Sequence, residues 1–240
     1  MNFHGGLEIA NLEVTYNRVI VAVQGVSLKV PDNAIVALLG TNGAGKTTTV
    51  RAISGFLPVD DAQIKKGSIE FSGRSVLGLP SQQAVRLGIV LVPERRKIFE
   101  TMTVADNLRI ARRDKTRTAE REARIQSLLE VFPALAKRQG QIAGYLSGGE
   151  RQMLAIAQAL VCDPKLLLVD ELSLGLAPHL VKDLMNQVRE LRTTFGISIL
   201  VIEQDAASAL AIAQGVGEPR ERVHGVEFAG LDGLAPSASR

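Results

Sequence analysis

Tryptophan is absent, tyrosine occurs twice and cysteine once in 240 residues. A lone cysteine excludes an intrachain disulfide framework and fits a reducing compartment. Cys162 follows a helical apolar stretch and precedes Asp163-Pro164, where a small buried hydrophobe is the first reading and a reactive thiol the second. Scarce aromatics leave few platforms for stacking bases, and 28 basic against 25 acidic residues give a net charge of only +3. A nucleic-acid partner is therefore not expected. No apolar run approaches the roughly 20 residues that span a bilayer. The first residues lack the charge, apolar core and cleavage site of a secretory signal, so any membrane role is expected to come through a partner. Internal repeats are missing as well, which excludes a solenoid.

What is present fits one α/β domain. Apolar runs and β-branched clusters predict strands over 7–14, 19–30, 35–39, 68–71, 89–92, 166–170 and 197–202. Between the fifth and sixth, the character turns helical and charged. Ile125, Leu128, Leu129 and Phe132 recur at helical spacing, so residues 100–145 read as a small helical subdomain. Its apolar stripe is first a core and second a docking groove.

Three segments carry chemistry. Gly40-Thr41-Asn42-Gly43-Ala44-Gly45-Lys46-Thr47-Thr48 follows the strand at 35–39 and fits the phosphate-loop pattern. Its glycines let backbone N–H groups curl around phosphates, and the helix it opens adds a positive terminus. Lys46 is expected to reach the β- and γ-phosphates, and the Thr47 hydroxyl to bind Mg²⁺. Leu166 to Val169 is an apolar run ending in Asp170 and Glu171, as a buried parallel strand looks when it delivers acids to its C-terminal edge. Asp170 suits Mg²⁺ and Glu171 suits polarising an attacking water; the bland alternative is that the two acids cap a helix. Leu146-Ser147-Gly148-Gly149-Glu150 puts a good N-cap and paired glycines before a long helix beginning at Glu150. Alone it could be a plain helix start.

In this order, the three segments resemble the nucleotide-binding subunit of ABC transporters over residues 7–214. The resemblance implies an ABC-type P-loop fold, with a mainly parallel sheet, an N-terminal antiparallel β subdomain and the helical insert. It implies that residues 147–150 bind the γ-phosphate held by an opposing subunit. Tyr16, 24 residues before Gly40, falls where members place an aromatic on adenine. Glu94 stands where most carry a glutamine that senses Mg²⁺ and the membrane subunit. Ser173-Leu174-Gly175-Leu176 matches the loop that crosses the dimer interface, and Gln204 occupies the position of the usual switch histidine.

Val92-Pro93-Glu94, Arg95-Arg96-Lys97-Ile98-Phe99, Ala177-Pro178 and Glu203-Gln204 are similar to one of the two ATPases of branched-chain amino acid importers. That resemblance implies ATP and Mg²⁺, a second and different ATPase subunit, and two transmembrane permeases. It also implies a periplasmic or extracellular solute-binding protein acting indirectly, and a peripheral place on the cytoplasmic face of the plasma or inner membrane. A weakly hydrolysing regulatory subunit of the same kind of complex is the alternative, because Gln204 cannot carry a histidine's charge. Leu172 departs from the proline usual after the catalytic glutamate. Residues 215–240 diverge from the family, with one short apolar stretch at 223–228, and those beyond Leu231 are expected to be poorly ordered.

Overall fold

The computed structural model describes residues 6–94, 98–111, 118–171, 173, 176, 178–204 and 221–225. Leu172, Leu174, Gly175, Ala177, Arg95 to Lys97 and the segment past Leu231 lie outside them.

Two sheets divide the strands. The antiparallel one has the order β2-β1-β4-β5, from β1 (Leu7–Tyr16), β2 (Ile20–Val30), β4 (Ala62–Phe71) and β5 (Arg74–Ser75). The parallel one has the order β6-β7-β8-β3-β9, from β3 (Ile35–Leu39), β6 (Ile89–Val92), β7 (Leu166–Asp170), β8 (Ser198–Glu203) and β9 (Glu221–Gly225). Every residue of β7 and β8 is buried, as a parallel sheet covered on both faces requires.

Side chains alternate between two cores with the strand period of two. Val36, Leu38, Leu166, Leu168, Leu200 and Ile202 face the antiparallel sheet and helix α1 (Lys46–Ser54). Ile35, Ala37, Leu167, Val169, Ile199 and Val201 face the helices of the other layer. That layer holds α3 (Val104–Ile110), α4 (Thr118–Val131), α5 (Pro133–Ala136), α6 (Gly148–Val161) and α7 (Pro178–Phe195); α2 (Ser81–Leu87) lies beside β6 and α1. Ile125, Leu128, Leu129 and Phe132 are all buried in this second core, so the stripe is core and the docking-groove reading falls.

Several boundaries differ from expectation. β4 begins six residues earlier than the sequence predicts, because its first half, Ala62 to Lys66, is polar and mostly exposed on one face. Gly67 interrupts it at φ 94, where a Cβ would stand 2.6 Å from the Ala10 and Asn11 carbonyl oxygens, and the β1 pairing shifts register there. α6 starts at Gly148 rather than Glu150. β8 runs one residue further than expected, to Glu203. β9, within the divergent C-terminal segment, pairs in parallel with β3 along its whole length, from Ile35 opposite Glu221 to Leu39 opposite Gly225. Cys162 is partly buried at the C-cap of α6.

Candidate active site

Parallel strands in register deliver their ends to one edge. Leu39 of β3 stands opposite Glu203 of β8, and Ile202 of β8 opposite Asp170 of β7. Gly40, Glu171 and Gln204 therefore leave the sheet side by side, at the position where open α/β sheets place ligands.

The loop after β3 closes on α1 through Gly45, whose φ is 83 and whose Cβ would stand 2.3 Å from the Ala22 carbonyl oxygen. No L side chain suits both conditions. Lys46 opens the helix, 5% exposed, and its Nζ donates to the Gly40 carbonyl at 2.6 Å and the Thr41 carbonyl at 2.8 Å. Burial lowers its pKa, while the charges of Glu171, Asp170 and Glu203 pull the other way. The ammonium is thus parked against loop oxygens, among three carboxylates, and is available for exchange onto a stronger anion.

Period two sets Asp170 on the face of Leu166 and Leu168, which is the face packed on α1. Thr47 Oγ1 donates to Asp170 Oδ1 at 3.3 Å. Asp170 is 2% exposed, and its carboxyl is pushed up to about 6, first by burial and then by the Glu171 and Glu94 charges, against the Thr47 hydrogen bond and Arg51. A buried carboxylate beside a hydroxyl, raised by its own neighbours, wants a cation, and the donor set fits Mg²⁺. Among the described residues no cluster of three or more His, Cys, Asp or Glu makes a metal cage. Mg²⁺ commonly takes one or two protein oxygens and completes its shell with phosphates and water.

Glu171 follows at φ 51, a left-handed conformation that costs a non-glycine residue about 1–2 kcal/mol. Its N–H donates to the Ile202 carbonyl at 3.1 Å, and its Oε1 accepts from the Gln204 side-chain amide. The switch position and the acid next to the phosphate loop are therefore in direct contact. Tyr16, at the end of β1, is partly buried, and its hydroxyl shares a 3.1 Å hydrogen bond with Thr48 Oγ1. It stands at the phosphate loop.

The Leu146 to Glu150 segment sits elsewhere, where α6 packs on the helical subdomain. Ser147 Oγ accepts from the Glu150 N–H at 3.3 Å, and Glu150 Oε2 accepts from the Ser147 N–H at 2.9 Å, a reciprocal capping box. Arg138 Nε stands 2.8 Å from Glu150 Oε1. Burial works to raise the Glu150 carboxyl, but the Ser147 hydrogen bonds and the Arg138 charge outweigh it and hold it below the ordinary value. The Glu150 carboxylate and N–H are thus both spent inside the chain. A Cβ on Gly148 or Gly149 would meet only ordinary contacts, at 3.4 Å to Leu176 and 3.9 Å to Leu180.

One site residue carried no sequence-based expectation. Glu203 is buried at the site edge and takes both Ser173 donors. The signal available was a carboxylate ending an apolar strand, the same signal that marks Asp170.

With the phosphate loop, the two acids after β7 and the capped glycine helix in place, the chain defines a nucleoside-triphosphatase built on a P-loop sheet. It belongs to the ABC transporter family, whose model matches residues 23–173, and its activity is the binding and hydrolysis of ATP. It is 41% identical over 201 residues to the high-affinity branched-chain amino acid transport ATP-binding protein BraG of Pseudomonas aeruginosa, covering 83% of this chain and 82% of that one. It is also 35% identical to the lipopolysaccharide export system ATP-binding protein LptB of Escherichia coli, over 80% of this chain and 78% of the other. Among solved structures, an ATP-binding cassette of an ABC transporter in its ADP conformation superposes with a TM-score of 0.76 at 28% identity, covering 87% of this chain and 84% of that chain. No helix among the described residues is long and apolar enough to cross a membrane.

Proposed function

We propose that this chain is the ATP-hydrolysing motor of an importer for branched-chain amino acids or a related small solute. It works as a dimer with a second, related ATPase subunit, docked on two membrane permeases at the cytoplasmic face, and a solute-binding protein outside the membrane supplies the cargo. The observation that carries the reading is the meeting of Lys46, Thr47, Asp170, Glu171 and Gln204 at one sheet edge. The likeness to BraG supports the class of cargo.

In this mechanism, adenine rests on Tyr16 and the triphosphate enters residues 40–48. Lys46 exchanges its two carbonyl partners for phosphate oxygens. Mg²⁺, held by Thr47 and Asp170 with Glu94 nearby, would neutralise charge on the phosphates. Glu171 orients a water and takes its proton during in-line attack, and Gln204 holds the Glu171 carboxylate in line. Ser147, Gly148 and Gly149 of this chain cover the γ-phosphate held by the partner subunit, a reading supported by the ordinary contacts that a Cβ on either glycine would meet among the described residues. Closure is passed to the permeases near Glu94 and the helical subdomain.

A second reading has one observation in its favour. The Gln204 amide already occupies one oxygen of the Glu171 carboxylate, and a neutral amide cannot relay a proton as imidazole does. A slowly hydrolysing regulatory partner would look the same.

Affinity capture from mildly solubilised membranes, followed by uptake assays on the recovered complex in vesicles, tests the proposal. A second ATPase, two polytopic proteins and ATP-driven uptake of leucine or isoleucine are expected. Ribosomal or DNA-processing partners, or outward transport, would overturn it. Glu171→Gln in each ATPase subunit separately decides between motor and regulator: a fall of roughly 10² to 10⁴ in turnover from this subunit's substitution is expected of the motor.

A further inference from the structure

Glu203 is 1% exposed at the end of β8, and burying a carboxylate costs several kcal/mol unless it is well paired. Its two oxygens are both used by one residue. Oε1 accepts from the Ser173 N–H at 3.0 Å and Oε2 from the Ser173 hydroxyl at 2.5 Å. Ser173 stands two positions beyond Glu171, and Gln204 one position beyond Glu203. Glu171 in turn donates its N–H to the Ile202 carbonyl at 3.1 Å and accepts from the Gln204 amide. Two chain segments, 171–173 and 202–204, are thus stitched to each other at both ends.

We propose that Glu203 is a positioning residue for hydrolysis: by clamping Ser173 it holds the strained Glu171 backbone and locks Ser173 to the end of β8, one residue before Gln204. Glu171 sits at φ 51, a conformation that persists only where its surroundings over-determine it. The Ile202 carbonyl fixes the strand side of that residue, and the Ser173 clamp fixes the exit side. Without the clamp, the chain beyond Glu171 has freedom to relax toward an ordinary conformation, swinging the carboxylate away from Gln204. An apolar residue at position 203 would fill the same buried space more cheaply, so packing alone does not account for a carboxylate there. The Lys46 charge, attracted by Glu203, offsets part of the desolvation and ties the clamp to the phosphate loop.

The inference rests on the reading of Glu171 as the general base, and the test separates the two. Steady-state ATP hydrolysis is measured on the intact transporter carrying Glu203→Ala, Glu203→Gln, Ser173→Ala, the Glu203→Ala/Ser173→Ala pair, or Glu171→Gln. Glu203→Ala should lower kcat by about tenfold to a hundredfold, the scale of a misplaced reacting group, while KM for ATP stays within about twofold. Glu203→Gln keeps an acceptor for the N–H and a donor for the hydroxyl, and should restore kcat to within about threefold of the wild type. Adding Ser173→Ala to Glu203→Ala should cost little more, because the two act as a unit. Should Glu203→Ala fail to fold, Ser173→Ala removes only a hydroxyl, and a several-fold fall in kcat with KM for ATP within about twofold is expected of it. Unchanged kcat in Glu203→Ala or Ser173→Ala beside an inactive Glu171→Gln, or losses that multiply in the pair, would overturn the clamp alone. A Glu171→Gln complex that still turns over would overturn the general base and the clamp with it.

Discussion

Asp170 shows how one residue sets a pH dependence. Burial, the main cause, pushes its carboxyl from the ordinary 3.8 up to about 6. The protonated form therefore favours the folded state. That contribution is complete below about pH 4 and is lost as pH rises through 6, where the folded chain must hold a buried anion. Two pKa units correspond to about 3 kcal/mol. A divalent cation with nucleotide should recover this loss, so the rise in melting temperature produced by Mg-ATP should be larger at pH 7.5 than at pH 5.5. An equal rise at both, by calorimetry, would remove Asp170 from the cation site. At this scale the sequence was legible wherever spacing encodes chemistry. Lys46, Thr47, Asp170 and Glu171 could be named because glycine pattern and strand end fix their surroundings. Glu203 could not be given a role, since its function depends on Ser173, thirty residues earlier, and no local pattern joins them. Nor was it legible that Glu150 folds back on Ser147 and pairs with Arg138.

Elements hold these side chains through their termini. α1 depends on Gly45, whose Cβ would strike the Ala22 carbonyl at 2.3 Å in a backbone that L residues avoid. Gly45→Ala should lower stability by about 1–2 kcal/mol or more and weaken ATP binding at least tenfold, as read by thermal melts and nucleotide titration. α6 depends on its capping box. Ser147→Ala should cost about 1 kcal/mol of stability and, in the assembled transporter, lower ATP turnover further than that loss explains. Arg138→Ala releases the other side of Glu150 and should slow turnover several-fold without moving ATP affinity for this subunit's own phosphate loop. Element existence was readable from period and capping chemistry, and boundaries less so. The β4 start was hidden because Lys65, Lys66 and their neighbours face solvent, and pairing to β1, not local hydrophobicity, makes that stretch a strand. The α6 start was misplaced by one half-turn because glycines read as breakers, although Ser147 as N-cap puts both inside the first turn.

At the scale of the molecule, the parallel sheet separates two cores, and polar ties join the helical subdomain to the rest. Arg124 on α4 is one: its Nε donates to the Leu160 carbonyl at 2.6 Å, its guanidinium pairs with Asp163 at 2.5 Å, and it lies 5.4 Å from the Phe195 ring centre. The fold class and the division into sheets and insert were legible from strand order and the change to helical period. The fifth parallel strand was not, because residues 221–225 carry Glu221, Arg222 and His224, and only the open edge of β3 recruits them. This strand matters for the site. β3 carries the phosphate loop, and β9 pairs it from Ile35 to Leu39, opposite the face taken by β8. A chain ending at residue 214 would leave the N–H and C=O groups on one side of β3, those of every second residue, unpaired next to the loop that must hold its shape for phosphate. One ending at residue 225 keeps the pairing and discards the remainder. The shorter chain is expected to melt several degrees lower, bind ATP more weakly and associate through its bare edge, whereas the longer one should match the full chain in melting and nucleotide titration. Equal behaviour of the two truncations would show that β3 needs no neighbour on that side, and that the divergent C-terminal segment contributes nothing to the phosphate loop.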